Sequence, residues 1–118
     1  MNIEDYRTHC ISKPGVSEGF PFDEKVLVFK VMGKMFALCD VDDFVSFNVK
    51  CDPEYAQELR ATYDAVQPGF HMNKSHWNTV VLDGSIPDNE LYQWIDDSYD
   101  LIVASLPKKL KAELDSNE

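Results

Sequence analysis

The sequence predicts an α+β fold, a two-layer sandwich in which helices cover one face of a mainly antiparallel sheet. Two observations support this prediction. Helix and strand signals follow the order helix, three strands, helix, two strands, helix. The connections among the first three strands are too short for the crossovers that parallel strands need, so these strands must run antiparallel. A two-layer α+β sandwich is the architecture that satisfies both conditions.

The first helix is predicted from Ile3 to about Ile11. Asn2 can cap its first turn, and Asp5 follows three residues later, as in a capping box. Pro14-Gly15 then ends the helix, because proline and glycine both interrupt helical backbone.

The stretch VLVFKVMGKMFALC predicts two strands joined at Met32-Gly33, where glycine supplies an unusual backbone angle. A two-residue turn there places Phe29 opposite Phe36, Leu27 opposite Leu38, and Lys30 opposite Met35. A third strand, FVSFNVK, follows the acidic turn at residues 40–43.

Alternation along these strands predicts which side chains face the helices. In the third strand, Val45, Phe47 and Val49 belong to the helix side. The opposite sheet face, which we call the open face, is then available to solvent or to a partner. It is predicted to display Lys30, Ser46, Asn48 and Lys50.

In the second half, Asp52-Pro53 predicts the start of a helix that runs through about Tyr63. A second hairpin is expected to have residues 70–73 and 77–82 as its arms, with Lys74 and Ser75 near its tip.

The last helix is predicted to reach about Leu106. Ser85 and Asp88 form a capping-box pattern around Pro87 at its start. Pro107 separates this helix from a short charged tail.

Composition indicates a single domain over residues 1–118. The chain is 44% hydrophobic and 12% aromatic, which suits one core. No apolar run approaches the roughly 18 residues of a membrane-spanning helix, and the N-terminus has no signal-peptide pattern, so no membrane partner and a cytoplasmic location are expected. Three widely spaced cysteines predict free thiols rather than disulfides.

The formal charge of −10 argues against loose attachment to polyanions, because such binding needs clustered Lys and Arg. Two segments nevertheless contain no Asp or Glu. These are residues 25–39, with Lys25, Lys30 and Lys34, and residues 65–82, with His71, Lys74 and His76. Apolar strands exclude acids in any case, so a structural origin is the alternative explanation.

The sequence predicts neither an enzyme nor a metal or cofactor site. His71 and His76 lie five residues apart without a third ligand at a recognisable spacing. Cys51 precedes a helix, where a thiolate is favoured, but Asp52 beside it opposes the negative charge. No phosphate-binding glycine loop and no GxSxG or HExxH pattern occurs.

Nucleic-acid binding has several candidate residues around PGFHMNKSHWN. Lys30, Lys34, Lys50 and Lys74 could meet phosphates, Asn73 and Asn78 could read base edges, and Trp77 could stack or act as a wedge. A structural explanation competes here too. In that explanation, Trp77 is a core residue, and residues 73–74 simply form a turn between two strands.

Four blocks together resemble the MmcQ/YjbR family of small bacterial proteins. They are KPGVSEGFPFDEKVLVFKVMGKMFAL, NVKCDPEYAQELR, QPGFHMNKSHWNTVVLDGSIPDNEL and DDSYDLIVASLPKKL, and they cover nearly the whole chain. The most specific part is HMNKxHWN, here residues 71–78. The resemblance implies the α+β architecture and a predicted DNA-binding function through a "double wing" of two hairpin-like projections. In this chain those correspond to Met32-Gly33 and Lys74-Ser75.

The resulting hypothesis is a binding site for double-stranded DNA on the open face and the two hairpins. Changing Lys50 and Lys74 together to Glu should abolish binding. The candidate DNA-binding residues are Lys30, Lys34, Asn48, Lys50, His71, Asn73, Lys74, His76, Trp77 and Asn78.

Two alternatives remain at this point. The open face could instead bind a protein partner or a small anion, or form a homodimer through Met35, Ala37 and Phe44, so the chain is expected as a monomer or a homodimer. A weaker alternative is an enzyme built from His71, His76 and Cys51, which requires these side chains to converge.

Overall fold

The structure is a computed structural model that describes residues 1–116. Its described part contains four helices and six strands. In chain order these are α1 (Ile3–Ile11), β1 (Val16–Gly19), β2 (Val26–Val31), β3 (Lys34–Asp40), β4 (Ser46–Lys50), α2 (Pro53–Thr62), β5 (Val66–Pro68), β6 (Trp77–Val81), α3 (Asp88–Ser105) and α4 (Lys108–Ser116).

The six strands form one antiparallel sheet in the order β1-β2-β3-β4-β6-β5. The main core lies between one face of this sheet and the helices, where Tyr6 of α1 packs on Phe29 and Phe47 with ring centroids 5.6 and 5.2 Å away. The predicted α+β two-layer sandwich is therefore confirmed.

Two of the three predicted helix starts are confirmed in detail. The Asn2 side chain accepts a hydrogen bond from the Asp5 amide at 2.8 Å, and the Asp52 carboxylate accepts one from the Tyr55 amide at 3.2 Å. The predicted Ser85 cap of α3 is wrong. The Ser85 hydroxyl donates instead to Asp83, and α3 begins after Pro87 without a side-chain cap.

The hairpin between β2 and β3 has the predicted two-residue turn, because Met32 and Gly33 both adopt positive φ, 49° and 86°. Lys30 lies opposite Met35 as predicted. A register shift beyond this pair then places Phe29 opposite Ala37 and Leu27 opposite Cys39, so the predicted Phe29–Phe36 and Leu27–Leu38 pairs are wrong. The bulge turns Leu38 to the open face.

The third strand was predicted to begin at Phe44, but β4 begins two residues later, at Ser46. Val45 is 62% exposed, whereas the ring of Phe44 packs 5.2 Å from that of Tyr6. Their predicted sides are therefore wrong. Of the three apolar residues expected to form a dimer surface, only Met35 lies on the open face, since Ala37 and Phe44 belong to the main core.

Three elements were not predicted from the sequence. β1 pairs with β2 at the sheet edge, and β5 pairs with β6, so the partner of β6 is Val66–Pro68 rather than residues 70–73. The predicted charged tail contains α4. Its Leu114 is buried, and the side chains of Leu114 and Met32 both lie against Gly15, close to the β2–β3 turn.

Within residues 1–116, no helix combines the length and the apolar character needed to cross a membrane.

Candidate functional site

The open face carries its own small apolar cluster, separate from the main core. Trp77 of β6 packs there with Val28 and Leu38, and Met35 and Met72 lie around them. Trp77 is only 8% exposed, so it forms part of the floor of this face. This position agrees with the alternative prediction that Trp77 is a core residue rather than one that stacks on DNA bases.

Charges on the open face are segregated along the strand direction. Lys30 and Lys50 lie near the Met32–Gly33 turn, opposite Met35 and Trp77 respectively. Lys34 begins the strand after that turn, but it pairs with buried Val31 and so lies on the helix side of the sheet. We call this region the lysine end. Asp40, opposite Val26, and Asp43 lie at the other extremity of the sheet, which we call the acid end.

The second projection is the loop of residues 69–76, which folds back over the open face. Gly69 continues the ladder by donating its amide to the Trp77 carbonyl at 2.8 Å, and the Phe70 amide then donates to the Thr79 hydroxyl at 2.9 Å. The Thr79 hydroxyl in turn donates to Asn48 Oδ1 at 2.6 Å. Asn48 is thereby engaged in holding the loop on the sheet.

The tip of this loop is organised by its own polar groups. Asn73 Oδ1 accepts from the amides of Ser75 and His76, at 2.9 and 3.3 Å. The Lys74 ammonium donates to the Gly69 carbonyl at 2.9 Å. These contacts close the loop on itself, and they are made by Asn73 and Lys74, which were both predicted to contact DNA.

Arg60 of α2 holds the same loop from the helix side and was not singled out in the sequence. Its Nε donates to Asn78 Oδ1 at 2.7 Å, and its Nη2 donates to the carbonyls of Lys74 and, at 3.2 Å, of Trp77. Nothing in the local sequence distinguishes this arginine from a solvated helix residue. Its function depends on α2 lying beside the loop.

The predicted role of Asn78 in reading base edges is wrong. Asn78 is 1% exposed and lies opposite Val49, on the helix side of the sheet, where it accepts from Arg60. Lys34, His71, Asn73, Lys74 and His76 are exposed, and Lys30, Asn48 and Lys50 are half-buried.

Helix α4 occupies the segment predicted as a charged tail. Lys108, Lys109 and Lys111 belong to this helix, which packs through Leu114 next to Gly15 and Met32. The residues on either side of Leu114, Glu113 and Asp115, are acidic, so the part of the helix that lies beside the β2–β3 turn carries both signs of charge.

A groove of about 660 Å³ opens on the other part of the open face. Phe22, from the β1–β2 connection, lines one side, and Phe70 and Met72 of the 69–76 loop line the other. The acid end, with Asp40 and Asp43, also lines this groove. The 69–76 loop thus serves as a wall between two chemically different surfaces.

The three residues of the enzyme alternative are only partly brought together. The Cys51 amide donates to the His76 carbonyl at 2.8 Å, so their backbones are neighbours. The Cys51 thiol is buried, and burial, together with Asp52 and Asp97, raises its pKa to about 11. This pKa disfavours the thiolate that a nucleophile needs at neutral pH. Residues 1–116 contain no group of three or more His, Cys, Asp or Glu side chains arranged to hold a metal.

Comparisons with known proteins agree with one another. A family model described as YjbR matches residues 11–101. The Escherichia coli (strain K12) protein YjbR is 37% identical over 110 residues, covering 92% of this chain and 93% of its own length. The Bacillus subtilis (strain 168) protein YyaQ is 28% identical over 116 residues, covering 86% of this chain and 98% of its own.

A solved structure has nearly the same fold over nearly the same length. The crystal structure of the Deinococcus radiodurans protein DR2400, a DUF419 domain, has a TM-score of 0.89 and 38% identity, covering 96% of this chain and 87% of that one. With a family match over most of the chain and relatives at this identity, the protein belongs to the YjbR family.

Proposed function

We propose that this protein binds double-stranded DNA through the lysine end of its open face. The observation that supports this best is the segregation of charge. In a chain with a formal charge of −10, Lys30 and Lys50 lie at one end of the open face, while Asp40 and Asp43 lie at the other. Lys34 lies beside this end at the turn, on the helix side with its partner Val31. Clustered lysines are what phosphate binding requires.

The two projections flank this lysine end. The Met32–Gly33 turn places exposed Lys34 on one side, and the 69–76 loop places exposed His76 on the other, next to Cys51 at the end of β4. Helix α4 reaches the region of the turn through Leu114, and it carries Glu113 and Asp115 as well as Lys108, Lys109 and Lys111. The arrangement suits a duplex backbone that crosses the end of the sheet.

Binding of this kind would have little sequence specificity. Asn78 is buried, and Asn73 and Asn48 are already hydrogen-bonded within the loop and the sheet. Base edges are read by free donors and acceptors, whereas phosphate contacts position a protein without reading sequence. We therefore expect similar affinity for unrelated duplexes.

The test is fluorescence anisotropy of a labelled duplex at several salt concentrations with wild-type protein and a Lys34→Glu/Lys50→Glu variant. Lys74 is left intact because its ammonium closes the loop on Gly69. Three phosphate contacts predict an affinity loss of roughly 40-fold between 50 and 200 mM salt. The double variant should lose saturable binding.

Lys34→Glu and Lys50→Glu are also measured singly, and Lys25→Glu is the charge-matched control for these two single variants. Lys25 is exposed and lies beside β2 at the acid end, where its carbonyl accepts from the Val41 amide. It changes net charge by the same amount as Lys34→Glu or Lys50→Glu. DNA binding at the lysine end would be refuted if Lys25→Glu weakened binding as much as those variants, or if wild-type protein bound no duplex at low salt.

A further inference from the structure

The groove beside the acid end points to a second ligand, distinct from DNA. We propose that it binds an extended polypeptide segment that has alternating apolar side chains and a Lys or Arg at the end nearest Asp40 and Asp43. The site is separate from the lysine end, and its occupation does not depend on DNA binding.

The apolar character of the groove is unusual for an exposed surface. Phe22 is 63% exposed, Phe70 54% and Val45 62%, and all three line the same groove over Leu38. Exposed apolar groups that are gathered in one concave surface mark binding sites more often than ordinary surface. A volume of about 660 Å³ is within the usual range for ligand sites.

Charge selects the class of ligand. Among residues 1–116, the acidic side chains that line the groove are Asp40 and Asp43, His71 also lines it, and no Lys or Arg does. Phosphates of nucleic acid or of anionic lipid would be repelled there. A second copy of this chain would bring another −10 charge towards an acidic groove end.

The carboxylates have capacity for a cation. Asp40 Oδ1 accepts the amides of Asp42 and Asp43 at 2.8 and 3.1 Å, and these bonds use only one of its two oxygens. Within residues 1–116 the carboxylate of Asp43 forms no hydrogen bond or ion pair. A Lys or Arg side chain of a bound segment could pair with both residues.

The groove also presents polar groups suited to peptide backbone. The Ser46 hydroxyl forms no hydrogen bond within the described residues, and exposed His71 also lines the groove. An extended segment places alternate side chains in a groove while its N–H and C=O groups meet such donors and acceptors. This match favours a polypeptide over a compact apolar molecule.

The experiment titrates isotope-labelled full-length protein with two synthetic peptides and follows backbone amide shifts by NMR. Both peptides alternate leucine and threonine. One ends in two lysines and the other in two glutamates. The lysine peptide should shift the amides of Val45, Asn48 and His71 in a saturable way, leave that of Lys34 unshifted, and bind at least about 10-fold more tightly than the glutamate peptide.

Three variants make the test specific. Phe22→Ser/Phe70→Ser should weaken binding of the lysine peptide by about 10-fold or more, because it removes an exposed aromatic ring from each wall. Asp43→Asn should reduce the preference for lysine over glutamate. Phe20→Ser is the matched control, since Phe20 is 49% exposed but lines the neighbouring depression with Lys30.

Several outcomes would overturn the proposal. These are no saturable shift up to about 1 mM peptide, equal affinity for the two peptides, shifts centred on the lysine end, or an equal loss in Phe20→Ser. Self-association that blocks the groove in sedimentation experiments would identify a second copy as the occupant instead. Retained peptide binding in Lys34→Glu/Lys50→Glu would support a site independent of the DNA surface.

Discussion

The two projections beside the lysine end are built in different ways. The β2–β3 turn needs only two residues, Met32 and Gly33, and both have positive φ. The 69–76 loop is longer and has no regular secondary structure, and its conformation depends on Arg60 of α2 and on Asn48 and Thr79 of the sheet. One projection is therefore a local structure, and the other is a tertiary one.

This difference has a practical meaning for the open face. A local turn keeps its shape as long as its two strands pair. The 69–76 loop depends on contacts between distant segments, so the wall that it forms between the lysine end and the groove can be loosened by a change in α2. Substitutions that affect the 69–76 loop but not the β2–β3 turn, or the reverse, test this difference between the two projections.

The largest effect is expected from Arg60→Leu. The change removes the donors to Asn78 Oδ1, to the Lys74 carbonyl and to the Trp77 carbonyl, and it leaves the buried Asn78 amide without its charged partner. We expect a loss of about 3 kcal/mol in the free energy of unfolding, measured by urea denaturation. Hydrogen exchange in residues 69–76 should accelerate, while that of the β2–β3 hairpin changes little.

Arg7→Leu is the control for this change. Arg7 also donates two hydrogen bonds, to Glu18 at 2.8 and 2.6 Å, but its side chain is 54% exposed. Exposed ion pairs contribute little, so its effect should be much smaller. Equal losses in the two variants would contradict a special role for Arg60.

An intermediate effect is expected from Gly69→Ala. A Cβ at this position would lie 2.8 Å from Trp77 Cβ and 2.9 Å from the Trp77 carbonyl oxygen, so the loop must move away from β6. We expect a cost of about 2 kcal/mol by thermal or urea unfolding. Gly19→Ala provides the comparison, because no atom lies within 4 Å of its added Cβ, and its effect should stay within about 0.5 kcal/mol.

The smallest effect is expected from Gly33→Ala. The added Cβ meets no atom within 4 Å, so the only cost is the left-handed backbone at φ +86°, about 1 kcal/mol. The amide shifts of the 69–76 loop should remain unchanged in NMR spectra. A larger loss here than in Gly69→Ala would reverse the comparison between a local and a tertiary projection.

The parts of the fold that were predicted well depend on short-range chemistry. The caps at Asn2 and Asp52, and the turn at Met32–Gly33, each involve residues within three positions of one another. The missed β1 and β5 are only four and three residues long, and α4 is a highly charged helix with a single buried residue, Leu114, beside Gly15. Their existence depends on partners far away in the sequence.

The candidate site divides in the same way. The polar cluster of residues 71–78 was recognisable, and so was the separation of lysines from acids. The sheet face on which each side chain lies, and the partners it contacts, could not be predicted in the same way. Asn78 faces the helices, Lys74 closes its own loop, and the bulge beyond Lys30 moves Leu38 to the open face. A shift of one residue reverses the direction of a strand side chain, and no local pattern reports it.

By itself, the sequence determined the α+β class, the helix starts at Asn2 and Asp52, the tight β2–β3 turn and the family resemblance. These follow from spacing, capping and turn preferences, which act over a few residues. Only the tertiary structure decided the conformation of the 69–76 loop, the role of Arg60 and the groove between Phe22 and Phe70. Each of these joins side chains from separate elements, and their contacts exist only once the sheet and helices have packed.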